Sequence, residues 1–192
     1  MHTLIFATNN RNKVAEIQSL VGPNFEIIPL KEAGIEIDIP EPHDQLEANA
    51  LEKAMTIFNL TNQACFSEDT GLEIAALGGA PGVKSARYAG ENSNPKANID
   101  LVLSKMEGVE NRTAQFRTVI CLVWENQTYY FEGICKGKIL SNMQGENGFG
   151  YDPIFMPDGA SKSFANMTMA EKNQFSHRKK AVAQLFEFLG TL

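Results

Sequence analysis

Short apolar runs alternate along the chain with stripes of apolar residues at helical spacing. The run Leu4–Thr8 breaks into Thr8-Asn9-Asn10-Arg11-Asn12-Lys13, and Val14, Ile17, Leu20 and Val21 then recur on one helical face. Gly22-Pro23-Asn24 interrupts the chain before a second strand, predicted at Phe25–Leu30. Leu46, Ala50, Ala54, Ile57 and Phe58 mark one face of a further helix, with Asp44 and Glu47 spaced as a capping box at its start. Ala64–Ser67 reads as a strand that ends at Glu68-Asp69-Thr70-Gly71, and small residues crowd the stretch from Leu77 to Gly82. Pro95 suits the first position of a helix whose apolar face is Ile99, Val102, Leu103 and Met106. Phe116–Trp124 predicts a strand buried on both faces near its end, and Tyr129–Cys135 and Lys138–Leu140 two further strands. Thr168 and Glu171 form a second capping-box pair, and Ala181, Val182, Leu185, Phe186 and Leu189 mark a C-terminal helix after Ser176. Strands and helices intermix throughout, which predicts an α/β fold with a mixed sheet.

Composition narrows the class. At 192 residues, with no linker-like run, repeat or low-complexity tract, the chain suits a single domain over 1–192, or one with two closely joined lobes. A formal charge of −6 disfavours polymeric nucleic acid as a partner, so a small phosphorylated ligand would need local cations or a metal. No stretch approaches a membrane span, and the first residues lack a basic region, an apolar core and a cleavage site. Cys65, Cys121 and Cys135 match no zinc spacing and are odd in number, which predicts buried reduced thiols and a cytoplasmic location.

Four segments carry candidate chemistry. The turn Thr8–Lys13 places backbone N–H groups and Lys13 where a helix N-terminus would bind an anion, although its asparagines also suit an ordinary capped turn. Glu68 and Asp69 are adjacent carboxylates at the end of a buried strand. Their desolvation and mutual repulsion call for a cation, for which Mg²⁺ is the usual solution where phosphates are handled. Glu41, in a Pro-Glu-Pro turn, can add a carboxylate, as can Glu47 unless it merely caps its helix; solvated turn acids remain the plain alternative. Glycines around Phe149 allow close backbone approach to a ligand beside a stacking ring, or else a tight loop packed on its own aromatics. Lys172, His177 and Arg178 lie near helix starts, where a cation opposes the helix dipole unless an anion is present.

Taken together, these segments resemble the inosine triphosphate pyrophosphatase family almost end to end. The likeness runs through Thr8-Asn9-Asn10 to Lys13 and Glu16, Glu47-Ala48-Asn49-Ala50 to Lys53-Ala54, Glu68–Leu72, Ala76–Gly82, Ser85–Gly90, Gly148–Phe155 and Glu171–Arg178. Asn9 stands where the family more often has glycine, and Glu68-Asp69-Thr70-Gly71 where it usually has Asp-Asp-Ser-Gly.

The resemblance implies an α/β body of two lobes around a central nucleotide cleft, acting as a homodimer. Its implied activity is Mg²⁺-dependent hydrolysis of ITP, dITP and XTP to monophosphate and pyrophosphate, with one Mg²⁺ per subunit. Asp69 would be the water-activating base and a metal ligand, Glu41 the second ligand and Glu68 a further candidate. Thr8, Asn9, Asn10, Arg11, Asn12, Lys13, Lys53 and Thr70 would bind the phosphates. Phe149, Gly150, Tyr151, Asp152, Lys172, His177 and Arg178 would recognise the base and close the site. Two rivals are an enzyme of the same fold acting on modified pyrimidine triphosphates, as in the septum-formation-inhibitor family, and a nucleotide sensor without turnover. The Gly148–Phe155 and Ser176-His177-Arg178 blocks argue against the first, and the Glu68-Asp69 pair against the second.

Overall fold

A computed structural model describes residues 2–91 and 94–191. Its elements in chain order are β1 (His2–Phe6), α1 (Arg11–Gln18), β2 (Phe25–Pro29), α2 (Leu46–Thr61), β3 (Cys65–Ile74), β4 (Pro81–Gly82), α3 (Pro95–Lys105), β5 (Thr113–Trp124), β6 (Gln127–Ile139), β7 (Phe155–Pro157), α4 (Met169–Phe175) and α5 (His177–Leu189). The strands form a mixed sheet in the order β2-β1-β3-β5-β6-β7, with β4 paired to β3. β1 runs parallel to both β2 and β3, whereas β3–β4 and β6–β7 are antiparallel. The chain divides into two compact units, Met1–Asp69 with Thr118–Gly133 and Arg178–Leu192, and Thr70–Arg117 with Ile134–His177.

In the first unit the two-residue period of the strands sorts side chains into two cores. Leu4 and Phe6 of β1, Phe66 of β3, and Ile120 and Leu122 of β5 pack with Ile17 of α1 and with Ala181, Val182, Leu185 and Leu189 of α5. The intervening residues Ile5, Cys65, Cys121 and Val123 pack on the other face with Ala50, Ala54 and Ile57 of α2. Phe6 and Phe66 are partners in the parallel register, and their rings stack at 4.6 Å. Helices on both faces explain why Thr118–Val123 is buried without alternation.

The second unit has one core, in which Ile99, Val102 and Met106 of α3 meet Leu72, Ile74, Phe116, Cys135, Ile139, Phe155 and Phe164. Pro95 sits in the first turn of α3 behind an Asn94 cap, and Thr168 and Glu171 close a capping box on α4, as the sequence predicts. The three cysteines are buried free thiols. Among the described residues no helix is long and apolar enough to cross a membrane.

Three expectations change. The strand expected to end at Ser67 instead runs on, and Glu68-Asp69-Thr70-Gly71 forms the middle of the ten-residue β3. The break expected after Cys135 does not occur, because Gly137 lets β6 continue at close approach to β7. The Asp44–Glu47 capping box is absent from α2, which begins one residue later behind Gln45. There the Asn49 amide bonds both the N–H and the carbonyl of His43 and so fixes the entry of the chain. Between β5 and β6, Glu125 and Asn126 both take positive φ (49° and 61°), the backbone of a two-residue primed hairpin turn.

A Cβ at position 137 would lie 2.7 Å from Phe155 Cζ and 2.9 Å from Pro157 Cα. Gly137→Ala should therefore lower the unfolding free energy by about 1–3 kcal/mol in urea titration. Gly22→Ala, where a Cβ meets nothing within 4 Å, should stay within about 0.5 kcal/mol of the parent. Equal stabilities for the two variants would refute the close approach.

Candidate active site

Glu68 and Asp69 are successive residues of β3, so their carboxylates leave opposite faces of the strand. Glu68 shares the parity of Phe66 and faces the α1/α5 side. There Arg178 grips it with two bonds, Nε to Oε2 at 2.7 Å and Nη2 to Oε1 at 2.9 Å. Lys13 Nζ lies 3.2 Å from Oε1, and Arg178 Nη1 also donates to a carboxylate oxygen of Glu16. Two carboxylates and two cations thus form a charge-balanced buried group. Burial opposes ionisation of Glu68, but the adjacent Arg178 and Lys13 charges outweigh it and hold the carboxyl down to about 2. The same carboxylates raise the pKa of Arg178 against the effect of burial.

Asp69 shares the parity of Cys65 and Ser67, both of which donate to carbonyls of α2. On this side Asn49 Nδ2 donates to Asp69 Oδ2 at 3.3 Å, and Lys53 Nζ lies 3.4 Å from Oδ1. The same ammonium donates to the Glu68 carbonyl at 2.8 Å and to Glu41 Oε1. Burial raises the Asp69 carboxyl above the ordinary aspartate range, with the Glu41 charge adding to it, while Lys53, Lys13 and Asn49 pull the other way. The result is a buried carboxylate with enhanced basicity beside a second carboxylate and a cation. Glu41 and Asp69 supply hard oxygen donors of the kind Mg²⁺ takes, and so fit the ion expected from the sequence, while Lys53 occupies the space between them. Glu68 does not join them; its side chain lies across the strand on Arg178 and Lys13, which removes it from the candidate ligands.

The first turn is more heavily capped than a bare anion site. The Asn10 side chain accepts from the N–H groups of Asn12 and Lys13, and Thr8 Oγ1 accepts from the Asn10 N–H. The Asn9 amide holds the Ile37 carbonyl. Arg11 and Asn12 are exposed, and Lys13 carries its charge to Glu68. Thr70 is half-buried, next along β3 from Asp69.

In the second unit, Lys172 Nζ lies 2.6 Å from Asp152 Oδ2, and both side chains are almost fully buried. The same oxygen accepts from the Phe149 N–H at 3.0 Å, and the ammonium stands 5.2 Å from the centroids of the Phe149 and Phe164 rings. Gly148 and Gly150 adopt positive φ (76° and 59°), and a Cβ at 148 would collide with the Asp152 carboxylate. The Tyr151 hydroxyl donates to the Ser85 carbonyl, which makes Tyr151 a core residue. The His177 ring stacks on Phe116 at 4.7 Å.

Cations near the α4 and α5 starts do have anions beside them. Those anions are protein carboxylates, Asp152 for Lys172 and Glu68 with Glu16 for Arg178. Two residues of the site lay outside the sequence prediction. Asn49 ties Asp69 to the loop carrying Glu41, and Glu16 completes the Arg178 group. The signal was the position of both inside motif blocks, each on the buried side of a helix.

The Ham1 family model matches residues 4–188. The chain is 49% identical over 190 residues to a dITP/XTP pyrophosphatase of Porphyromonas gingivalis, covering 98% of both chains. It is 46% identical over 185 residues to one of Flavobacterium psychrophilum, covering 96% of this chain and 97% of that one. Among solved structures, a HAM1 protein from Coxiella burnetii is 35% identical over the whole of both chains with a TM-score of 0.90. The Staphylococcus aureus Ham1 protein is 36% identical over 98% of both, with a TM-score of 0.89. With these matches spanning both units and every motif block, the chain belongs to the Ham1 family.

Proposed function

We propose that this protein is a nucleoside-triphosphate pyrophosphatase that hydrolyses dITP, XTP and ITP to the monophosphate and pyrophosphate, with Asp69 as the water-activating base. The observation that carries the reading is the buried, basic Asp69 carboxylate, held by Asn49 and facing Lys53 and Glu41, in a chain nearly half identical to dITP/XTP pyrophosphatases. Glu41 and Asp69 would hold Mg²⁺, whose chemistry when bound is neutralisation of charge on the phosphate oxygens. Asp69 orients a water and takes its proton as the oxygen attacks the α-phosphorus. Lys13 and Lys53 supply positive charge for the departing pyrophosphate. Arg178 keeps its two bonds to Glu68 when Lys13 turns to a phosphate. Phe149, Asp152 and Lys172 offer a ring, an acceptor and a donor in one place, a set that suits a 6-oxo purine.

The reading has a defined product and metal requirement. EDTA should abolish turnover of dITP and Mg²⁺ should restore it, with pyrophosphate and monophosphate appearing in equal amounts. Diphosphate and orthophosphate as products would exclude attack at the α-phosphorus.

Opposite faces of β3 predict opposite phenotypes for its two acids. Asp69→Asn should lower kcat by at least roughly 10²-fold while the fold keeps its stability, because the variant removes a charge that burial disfavours. Glu68→Gln should instead lose roughly 3 kcal/mol of stability at neutral pH, because Arg178 and Lys13 lose their main counter-charge. Its folded pKa is depressed, so this contribution is present above the ordinary 4.5 and fades as pH falls through about 2. Urea titrations of parent and Glu68→Gln between pH 7 and pH 2 should therefore converge at the acid end. A gap that widens on acidification would contradict the assigned charge state.

A further inference from the structure

Lys53 stands where the proposed metal must bind. Its side chain is 8% exposed, and its ammonium meets Glu41 Oε1, the Glu68 carbonyl at 2.8 Å and Asp69 Oδ1 at 3.4 Å. Among the described residues, no three Asp, Glu, His or Cys side chains gather into a group able to hold a metal ion. The protein alone thus presents two carboxylates already joined by a cation, and Mg²⁺ releases its water reluctantly. Charge points the same way. Glu41, Asp69 and Lys53 sum to one negative charge, and adding a dication would leave one positive charge in a largely buried place. A triphosphate arriving with the metal removes that excess.

We propose that Lys53 is a resident counter-ion that a divalent cation must displace from Glu41 and Asp69, so that the nucleotide-free protein holds the metal weakly and acquires it together with the triphosphate. The inference rests on Glu41 and Asp69 being the metal carboxylates, as set out under the proposed function. Asn49 makes the exchange local. It holds Asp69 and the backbone of His43 at once, so both carboxylates keep their places while one long, flexible side chain moves.

The test is titration of nucleotide-free protein with Mn²⁺, following the electron paramagnetic resonance signal of the free ion, for the parent and for Lys53→Met, Lys53→Gln and Lys53→Arg. Each titration is repeated with a non-hydrolysable imido analogue of the triphosphate. Removing a unit charge this close to two buried carboxylates should tighten nucleotide-free Mn²⁺ binding by at least roughly tenfold in Lys53→Met and Lys53→Gln. Lys53→Arg, which keeps the charge, should bind as weakly as the parent, and the analogue should tighten the parent most. Neutral variants that bind no tighter than the parent, or a parent that binds equally well with and without the analogue, would overturn the inference. Glu41→Gln separates the two levels. Weakened Mn²⁺ binding in its analogue complex, with the neutral variants still no tighter, leaves the metal carboxylates standing and removes only the role of Lys53. Unchanged Mn²⁺ binding by Glu41→Gln, alone and combined with Lys53→Met, removes both.

Discussion

Two ionised carboxylates in the middle of a buried strand set the terms for the rest of the first unit. Glu68 and Asp69 are 2% and 5% exposed, and charge so far from water is tolerated only when paired and hydrogen-bonded. Because a strand alternates, the two carboxylates face different sets of charged partners. Each helix flanking β3 delivers a cation: Arg178 from the start of α5 and Lys13 from α1 on one side, Lys53 from α2 on the other. The helices that bury the apolar alternation of β1, β3 and β5 are thus also those that carry the counter-charges.

The two sides use their charges differently. Around Glu68 the group is closed, with a bidentate guanidinium, a lysine and a second carboxylate, and it holds the proton affinity of Glu68 far below the ordinary range. Around Asp69 one ammonium is shared among two carboxylates and a carbonyl, and burial, with the Glu41 charge adding to it, moves the proton affinity up. A closed group keeps its shape, whereas an under-compensated one suits the metal-binding and proton-accepting roles proposed above for Asp69. Adjacent acids of near-identical chemistry thereby take opposite shifts in proton affinity from their surroundings alone.

Much of this was legible in the sequence. Helical stripes located the helices, and β-branched runs located most strands, because burial demands those periods. The pairing of acids with cations was legible as a need, since Glu68-Asp69 and the basic residues near helix starts are both unfavourable alone. Which acid meets which cation was not. That depends on strand parity, and the strand was expected to end before Glu68 because two adjacent acids followed by Thr-Gly suit a strand end, while the flanking helices that make a longer strand tolerable there lie far away in sequence. Asn49 was passed over for a related reason: its motif block marks the position, but an amide inside an apolar helical stripe does not show which three bonds it makes. The same distance in sequence let Arg178 read as a residue facing a ligand; its partner Glu68 is 110 positions away.

Strand β5 carries a further consequence. Its first half is half-covered at every second residue, as at Gln115 and Arg117, whereas Thr118–Val123 is buried without a break. Along one strand, then, neutral drift has alternate positions open to it at one end and none at the other. A lineage diversifying this protein would be expected to leave its record in the half that faces two environments and to fall silent in the half that faces one.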